Sequence, residues 1–377
     1  MTSIPLMADQ TLFRNPEVFE VTHLPETFNH RHAQMQELAF ALRPTLDGGS
    51  PLNTVLRGPP GTGKTTAVHR IFAGVGEVCE RVAPVLIPCH CDQTPRAVFA
   101  RIYAALSGHP LPDAGVPLRR ITERIADNLT GRGAVLVVCL DDAGELIPNG
   151  VLDDVLTALL RMHEGYPGTK AGVFLTLSGM DPDLSRCLTP STLSVLHASE
   201  VFFPPYSRQE IRGILADRIR AGLYPGVVPP AVLDLMAERT DACGDLRVGL
   251  DMVRRAAGAA ERAGRRAVTA EDVHAAHAAS RHLRLEMAVD SLDAADREVL
   301  DAVLSIWREG EEETRSGTVY ERLCDRDAMS YSAFYSRLRK LEHLRLVDIV
   351  MWRGRGNSRM ILPGEGVEEA MEGAFAV

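Results

Sequence analysis

Apolar residues along the chain follow two periods, and each change of period marks a new element. Val68, Ile71, Phe72 and Val75 fall at i, i+3, i+4 and i+7, one face of a helix. A glycine-rich stretch precedes them, and before that Thr54-Val55-Leu56 is strand-like. Ala83 to Pro88 predicts a second strand and Val98 to Leu106 a helix. Leu118, Ile121, Ile125 and Leu129 share one helical face. The unbroken apolar run Ala134 to Leu140 fits a strand buried on both sides of a parallel sheet, and Gly172 to Leu177 fits a further one. Upstream, a helix from His30 to Leu42 is expected to close at Pro44 and the turn Asp47 to Pro51. Strands alternating with helices predict an α/β domain with a parallel sheet and a ligand at the carboxyl edge of its strands.

After Phe202-Phe203-Pro204-Pro205-Tyr206 the pattern turns helical throughout. Ser207 and Glu210 form a capping box ahead of Ile211, Ile214, Leu215 and Ile219, and Thr269 to Asp272 is a second cap. This predicts a small helical lid. The pattern changes again from Asp296: a helix to Trp307, an acidic loop at 309–313, and a helix from Ser330 to about His343. That last helix has two faces, with Phe334, Leu338 and Leu341 on one and Ser332, Tyr335, Ser336 and Arg339 on the other. Two strand-like pieces follow, Leu346 to Trp352 and Ser358 to Leu362, joined by Arg353-Gly354-Arg355-Gly356-Asn357. Helix, strand, basic hairpin, strand is the order of a winged helix-turn-helix. The expected division is a nucleotide-binding core at 1–204, a lid at 205–288 and a winged-helix domain at 289–377.

The glycine-rich stretch Gly58-Pro59-Pro60-Gly61-Thr62-Gly63-Lys64-Thr65-Thr66 has the spacing of a phosphate-binding loop between strand and helix. Glycines let successive N–H groups converge on phosphate oxygens, and the helix N-terminus adds its positive end. Lys64 is expected to reach the β- and γ-phosphates and the Thr65 hydroxyl to hold Mg²⁺, so the cofactors are ATP or ADP with Mg²⁺. Asp141, at the end of the buried run, is placed as a second Mg²⁺ ligand, and Asp142 as the group that orients or deprotonates attacking water. Arg247, opening a lid helix, is a candidate reporter of the γ-phosphate.

Composition narrows the setting. The 377 residues are 45% hydrophobic and 24% charged, as in ordinary globular chains, with room for two or three domains. No run of eighteen apolar residues exists and the first residues lack a signal-peptide pattern, so a cytoplasmic protein with no membrane partner is expected. Seven scattered cysteines suit reduced thiols better than a disulfide framework. Cys89-His90-Cys91 lacks a second pair to complete a metal site, and His274, His277 and His282 fit a helix face.

The net charge of −9 is unevenly spread. Residues 331–360 hold seven cations (Arg337, Arg339, Lys340, Arg345, Arg353, Arg355, Arg359) against Glu342 and Asp348. A local basic patch centred on a recognition-type helix and a wing is the footprint of DNA binding. Ser332, Tyr335, Ser336 and Arg339 would face the major groove, the wing arginines phosphate or minor groove.

Taken in order, Leu24-Pro25-Glu26-Thr27-Phe28-Asn29-His30-Arg31 with Gln34, the phosphate loop, Leu140-Asp141-Asp142, Phe203-Pro204-Pro205-Tyr206, Gly244-Asp245-Leu246-Arg247 and the basic wing resemble the origin-recognition and cell-division-control initiators of archaea. The resemblance runs from about Leu12 to Leu362. It implies an AAA+ ATPase core with a lid and a C-terminal winged helix, double-stranded origin DNA as partner, and help in loading a replicative helicase. By the same resemblance Tyr206 and Arg218 contact nucleotide from the lid side, Arg247 is the second sensor, and 110–129 is an insertion that presses on DNA. The chain departs from the family pattern at three places. Asp142 stands for a glutamate, Ser178-Gly179 for a sensor asparagine, and Ser191 for an arginine after proline. Hydrolysis is therefore expected to be slow. The competing readings are a winged-helix transcription regulator with a structural nucleotide site, and a clamp-loader-like motor suggested by Ser185-Arg186-Cys187.

Overall fold

The computed structural model describes residues 11–20, 22–25, 28–111, 115–147, 150–178, 184–309, 314–324, 329–344, 346–351, 359–364, 367–368 and 371, with backbone alone at 281–284, 286, 287, 343 and 351. The chain divides into two compact units, Thr22–Tyr206, and Met1–Val21 with Ser207–Val377.

The first unit is an α/β sandwich. Its described strands are β1 (Thr54–Gly58), β2 (Val82–Pro88), β3 (Val135–Asp141), β4 (Lys170–Ser178) and β5 (Ser199–Phe202), all parallel, in the order β2-β3-β4-β1-β5. Helices α1 (His32–Leu46), α2 (Lys64–Val78), α3 (Pro95–Ser107), α4 (Leu118–Arg132), α5 (Val151–Leu160), α6 (Met162–Gly165), α7 (Leu184–Cys187) and α8 (Pro190–Leu196) lie along the sequence between or beside them.

Every residue of β3 is buried, and the pleat sorts them by face. Leu136, Val138 and Leu140 join the core under α3, α4 and α5, while Val137 and Cys139 join the one containing Leu38, Val68 and Phe72. A strand covered on both sides has no polar alternation to show, which is why its sequence reads as an unbroken apolar run. The α4 face predicted from spacing is formed, with Ile121, Ile125 and Leu129 fully buried. Helix α1 differs from expectation at its end. It runs on to Leu46 with Pro44 inside its last turn, where the Pro44 carbonyl accepts from Asp47 and Gly49 N–H groups (3.3 and 2.8 Å). A proline so near the end removes one helical bond without breaking a second turn.

In the second unit, α9 (Arg208–Gly222), α10 (Pro230–Cys243), α11 (Leu246–Arg262) and α12 (Ala270–Asp290) form the lid. The predicted capping box at Ser207 and Glu210 is present in full. Residues 11–20 dock on these helices: Phe13 bridges Leu223, Arg14 and Asn15 donate to the Gly222 carbonyl, and Thr11 and Leu12 donate to Glu261. Gly222 makes the close approach possible, since a Cβ there would lie 2.4 Å from the Phe19 ring.

The remaining elements are α13 (Ala294–Arg308), α14 (Ser316–Cys324), α15 (Tyr331–His343) and the antiparallel pair β6 (Val347–Met351) and β7 (Arg359–Pro363). Arg315 bridges Met360, so the order is helix, bridge, helix, helix, hairpin, as in a winged helix. Phe334, Leu338 and Leu341 are fully buried, as the spacing of α15 predicts. Helix α14 went unpredicted: only Val319 and Leu323 anchor it, and Gly317 weakens its first turn. The hairpin tip with Arg353 and Arg355, Arg345, Gly179 and most of the acidic loop lie outside the described residues.

Candidate functional site

The phosphate loop begins where β1 ends. Gly58 has φ 156°, and a Cβ there would sit 2.2 Å from the Phe203 carbonyl oxygen, so only glycine fits. Gly61 and Gly63 are left-handed (φ 73° and 90°), and Gly63 caps α2. This winding aims the first amides of α2, which have no helical acceptor, into the loop. The Thr62 hydroxyl ties to the Pro59 carbonyl (2.8 Å), and the buried Lys64 ammonium donates to the carbonyls of Gly58 and Pro59 (2.8 Å each). Pro60, Thr65 and Thr66 are half-buried along the same stretch.

Register brings the acids to it. β1 and β4 pair Gly58 with Ser178, and β3 and β4 pair Leu140 with Leu175, leaving Asp141 beside Thr176. The buried Asp141 carboxylate accepts from Thr65 Oγ1 (3.0 and 3.1 Å) and from Thr176 Oγ1 (2.7 Å). Burial pushes its pKa above the ordinary carboxylate value and the negative Asp142 adds to this, while the two hydroxyl bonds and His69 pull the other way. The fully buried Thr176 also accepts from the Asp142 N–H (2.8 Å). Asp142 is left-handed (φ 53°, ψ 51°), and its carboxylate accepts from Ser178 Oγ (2.8 Å). So the position expected to hold an asparagine places a hydroxyl against the second acid.

Arg31 and Phe28 complete the surroundings of the loop. Arg31 is almost wholly buried, donating to the carbonyls of Thr62 (3.0 Å), Pro204 (2.6 Å) and His30 (3.2 Å), with its guanidinium 3.6 Å from the Tyr206 ring centre. A Cβ on Gly63 would meet Tyr206 Oη at 2.8 Å and the Phe28 ring at 3.1 Å. The loop, Asp141, Asp142 and Tyr206 are thus one constellation. Thr176 had a sequence signal, a lone hydroxyl in the buried apolar strand. Arg31 was marked only by the family resemblance, because nothing local distinguishes a buried arginine from an exposed one.

Arg218 and Arg247 belong to the other unit. Arg218 Nη1 donates to the Val18 carbonyl (3.0 Å), and burial lowers its pKa. Arg247 is half exposed and binds both oxygens of Asp245, the cap of its own helix (Nε–Oδ1 3.1 Å, Nη2–Oδ2 2.9 Å). At Ser191, where the family pattern has arginine, the hydroxyl accepts from Arg161 Nη2 (2.9 Å), so a guanidinium stands there from the junction of α5 and α6.

On α15, Ser332, Ser336 and Arg339 are exposed and Tyr335 half-buried, as the two-faced pattern predicts. Arg359 opens β7 and donates to Tyr335 Oη. Arg337 and Lys340 are engaged in ion pairs with α13, Arg337 with its cap Asp293 and with Asp296, Lys340 with Asp296. Among the described residues no group of three or more His, Cys, Asp or Glu could hold a metal ion, and no helix is long and apolar enough to cross a membrane.

Residues 49–188 match the model of an AAA domain, and residues 212–278 that of a Cdc6 AAA+ ATPase-type lid domain. An ORC1-type DNA replication protein of Halobacterium salinarum is 37% identical over 367 residues, covering 96% of each chain. One from Methanosarcina mazei is 39% identical over 360 residues, covering 94% of each. Among solved structures, the Aeropyrum pernix ORC1 protein in complex with DNA has a TM-score of 0.67 at 26% identity, covering 97% of this chain and 99% of that one. The Aeropyrum pernix ORC2 protein in ADPNP-ADP complexes shares the fold at TM-score 0.72 and 21% identity, covering 97% and 100%.

Proposed function

We propose, for a chain that belongs to the ORC1-type DNA replication proteins and has their AAA+ fold, the work of an ATP-controlled initiator that binds origin DNA and helps recruit the replicative helicase. The observation that carries this reading is a complete phosphate loop with its acid in one unit and a basic winged-helix order in the other, in a chain that matches a relative over 96% of each chain. The solved relative with DNA supports the nucleic-acid half, and the one with ADPNP and ADP has the same fold.

The residues present fit Mg²⁺-nucleotide. Lys64 exchanges its two neutral loop carbonyls for anionic phosphate oxygens, which attract an ammonium more strongly. Thr65 Oγ1 and Asp141 are two hard oxygen donors already within hydrogen-bond distance, the donor type Mg²⁺ prefers. Bound there, Mg²⁺ neutralises phosphate charge. Asp142 orients the attacking water, with one carboxylate oxygen engaged by Ser178, which makes the enzyme a slow ATPase. Tyr206, Arg218 and Arg247 report the nucleotide, Arg247 by trading Asp245 for the γ-phosphate. Within the three-domain division at 204 and 288, Ser332, Tyr335, Ser336, Arg339, Arg353, Arg355 and Arg359 face the duplex.

Fluorescence anisotropy on duplexes tiled across the flanks of the gene, at one fixed salt, with ATP, ADP or neither, tests the reading. Flank-specific binding that changes with nucleotide, and loses that change in Lys64→Ala, is expected. Uniform, steeply salt-dependent binding indifferent to nucleotide would refute it.

A further inference from the structure

Two of the cations of helix α15 are committed to ion pairs with the start of α13. Arg337 Nη1 donates to Asp293 (2.8 Å) and Asp296 (2.6 Å), and Lys340 Nζ donates to Asp296 as well. The Asp296 side chain is 1% exposed. A carboxylate this deep keeps its cations close, because drawing either away strands charge in a poorly polarisable interior. These two basic residues therefore fasten α15 to the start of α13, although the Lys340 side chain stays about as exposed as that of Arg339.

The outer face of α15 presents an aromatic ring with two guanidinium groups close to it. Arg359 stands 4.9 Å from the Tyr335 ring centre and Arg339, four residues on along α15, stands 5.6 Å from it. Arg339 also pairs with Glu342 (2.8 Å). Arg359 additionally donates to Tyr335 Oη. A phenol has one proton and, because its other lone pair is conjugated with the ring, one good acceptor position, and an arginine can only donate. The bond from Arg359 consumes a lone pair of Oη and leaves the phenolic proton for another acceptor. Cation–π contacts restrain the ring, so this donor is presented from a fixed point in the middle of the polar stripe. Ser332 and Ser336 on either side are short and rotate freely, and either can donate or accept.

Resting on the DNA-binding reading above, we propose that Tyr335 is the sequence-reading residue of this winged helix: its hydroxyl donates to an acceptor on a base edge of the major groove, a purine N7 or O6 or a thymine O4, while Arg339 and Arg359 bind the flanking phosphates and hold the ring in place. The ligand is a duplex with such an acceptor at one position. A cytosine edge, which offers an amino donor there, is disfavoured.

The test selects bound duplexes from a pool with a randomised central segment, using the full chain at one fixed salt with ATP, and compares wild type with Tyr335→Phe. Phenylalanine keeps the ring and both cation–π contacts and removes only the hydroxyl, and a thermal melt of each protein checks that the fold is retained. The variant is expected to lose preference at one base pair, by about five- to ten-fold, as for one lost base contact. Preferences at other positions and the salt dependence of binding should stay as in wild type. Arg359→Gln should instead weaken binding to all sequences and lower the slope of log affinity on log salt by about 0.9. Identical preferences at every position in wild type and Tyr335→Phe would overturn the assignment to Tyr335 while leaving DNA binding standing. A wild type that selects no sequence would overturn the DNA-reading function itself, and this proposal with it.

Discussion

Thr176→Val isolates the hydroxyl that organises both acids. Valine keeps the volume, so no cavity opens, but two hydrogen bonds are lost. One is donated to the Asp141 carboxylate (2.7 Å) and is of the charge-assisted kind; the other accepts the Asp142 N–H (2.8 Å). Bonds to charged groups contribute about 1.5–3 kcal/mol and neutral ones about 1 kcal/mol. Asp141 keeps its bond from Thr65, so the sum falls to about 2–3 kcal/mol at pH 7. The sign of the pH dependence follows from Asp141, whose folded pKa is raised by burial. A raised carboxyl favours folding below the unfolded pKa of about 3.9, loses that advantage as pH rises to the folded value, and changes no further above it. Valine removes the Thr176 bond that opposes the rise, so the variant should lose more stability at pH 7 than at pH 4. Thr176→Ser restores the hydroxyl and forfeits only a methyl, about 1 kcal/mol. Urea unfolding of the three proteins at both pH values measures this, and titration of Mg²⁺ against labelled ADP should show a several-fold higher half-saturation for valine alone. Valine within about 0.5 kcal/mol of wild type with the same Mg²⁺ half-saturation would refute the reasoning.

Asp142→Glu, which restores the residue of the family pattern, should not raise ATP hydrolysis: the left-handed backbone tolerates aspartate better than glutamate by about 1 kcal/mol, and the longer carboxylate leaves Ser178. A faster enzyme of equal stability would contradict this. Gly58→Ala puts a Cβ 2.2 Å from the Phe203 carbonyl, a backbone atom, so stability should drop by about 2–4 kcal/mol and nucleotide affinity with it; calorimetry on the variant decides. In the lid, the Arg265 guanidinium beside Asp272 holds its carboxyl down to about 2. A depressed carboxyl stabilises the fold above its unfolded pKa and gives that up as pH falls toward 2. Asp272→Asn should therefore lower the melting temperature at pH 7, and the gap from wild type should close between pH 4 and pH 2.

Periodicity located the sheet, the α4 face and the α15 face because each is a statement about burial, and burial is what period records. The loop at Gly58 to Thr66 was legible because its chemistry demands particular residues at fixed spacing. Helix α14 escaped because its nine residues supply two buried anchors, too few to establish a period. The docking of residues 11–20 escaped because it depends on Phe19 meeting Gly222, some two hundred residues on. Charge counting found the basic cluster on α15 but could not say which of its cations are committed to buried ion pairs. Arg337 and Lys340 differ from Arg339 only in which side of α15 they occupy, and that matters because Asp296 lies on theirs.

The departures at Asp142 and Ser178 read differently once the strands are paired. Taken one at a time, each removes a group that the family pattern supplies. In register they meet, Ser178 Oγ donating to Asp142 at 2.8 Å, with the left-handed turn at 142 bringing the short side chain back toward β4. On the same strand, two residues earlier and on the same side of the pleat, Thr176 serves Asp141 in the same way. One strand thus supplies one hydroxyl to each acid. The pair at 142 and 178 is one alternative arrangement, and each residue makes sense only with the other. The carboxylate oxygen accepting from Ser178 has one lone pair fewer to offer a water, in keeping with the slow hydrolysis proposed above.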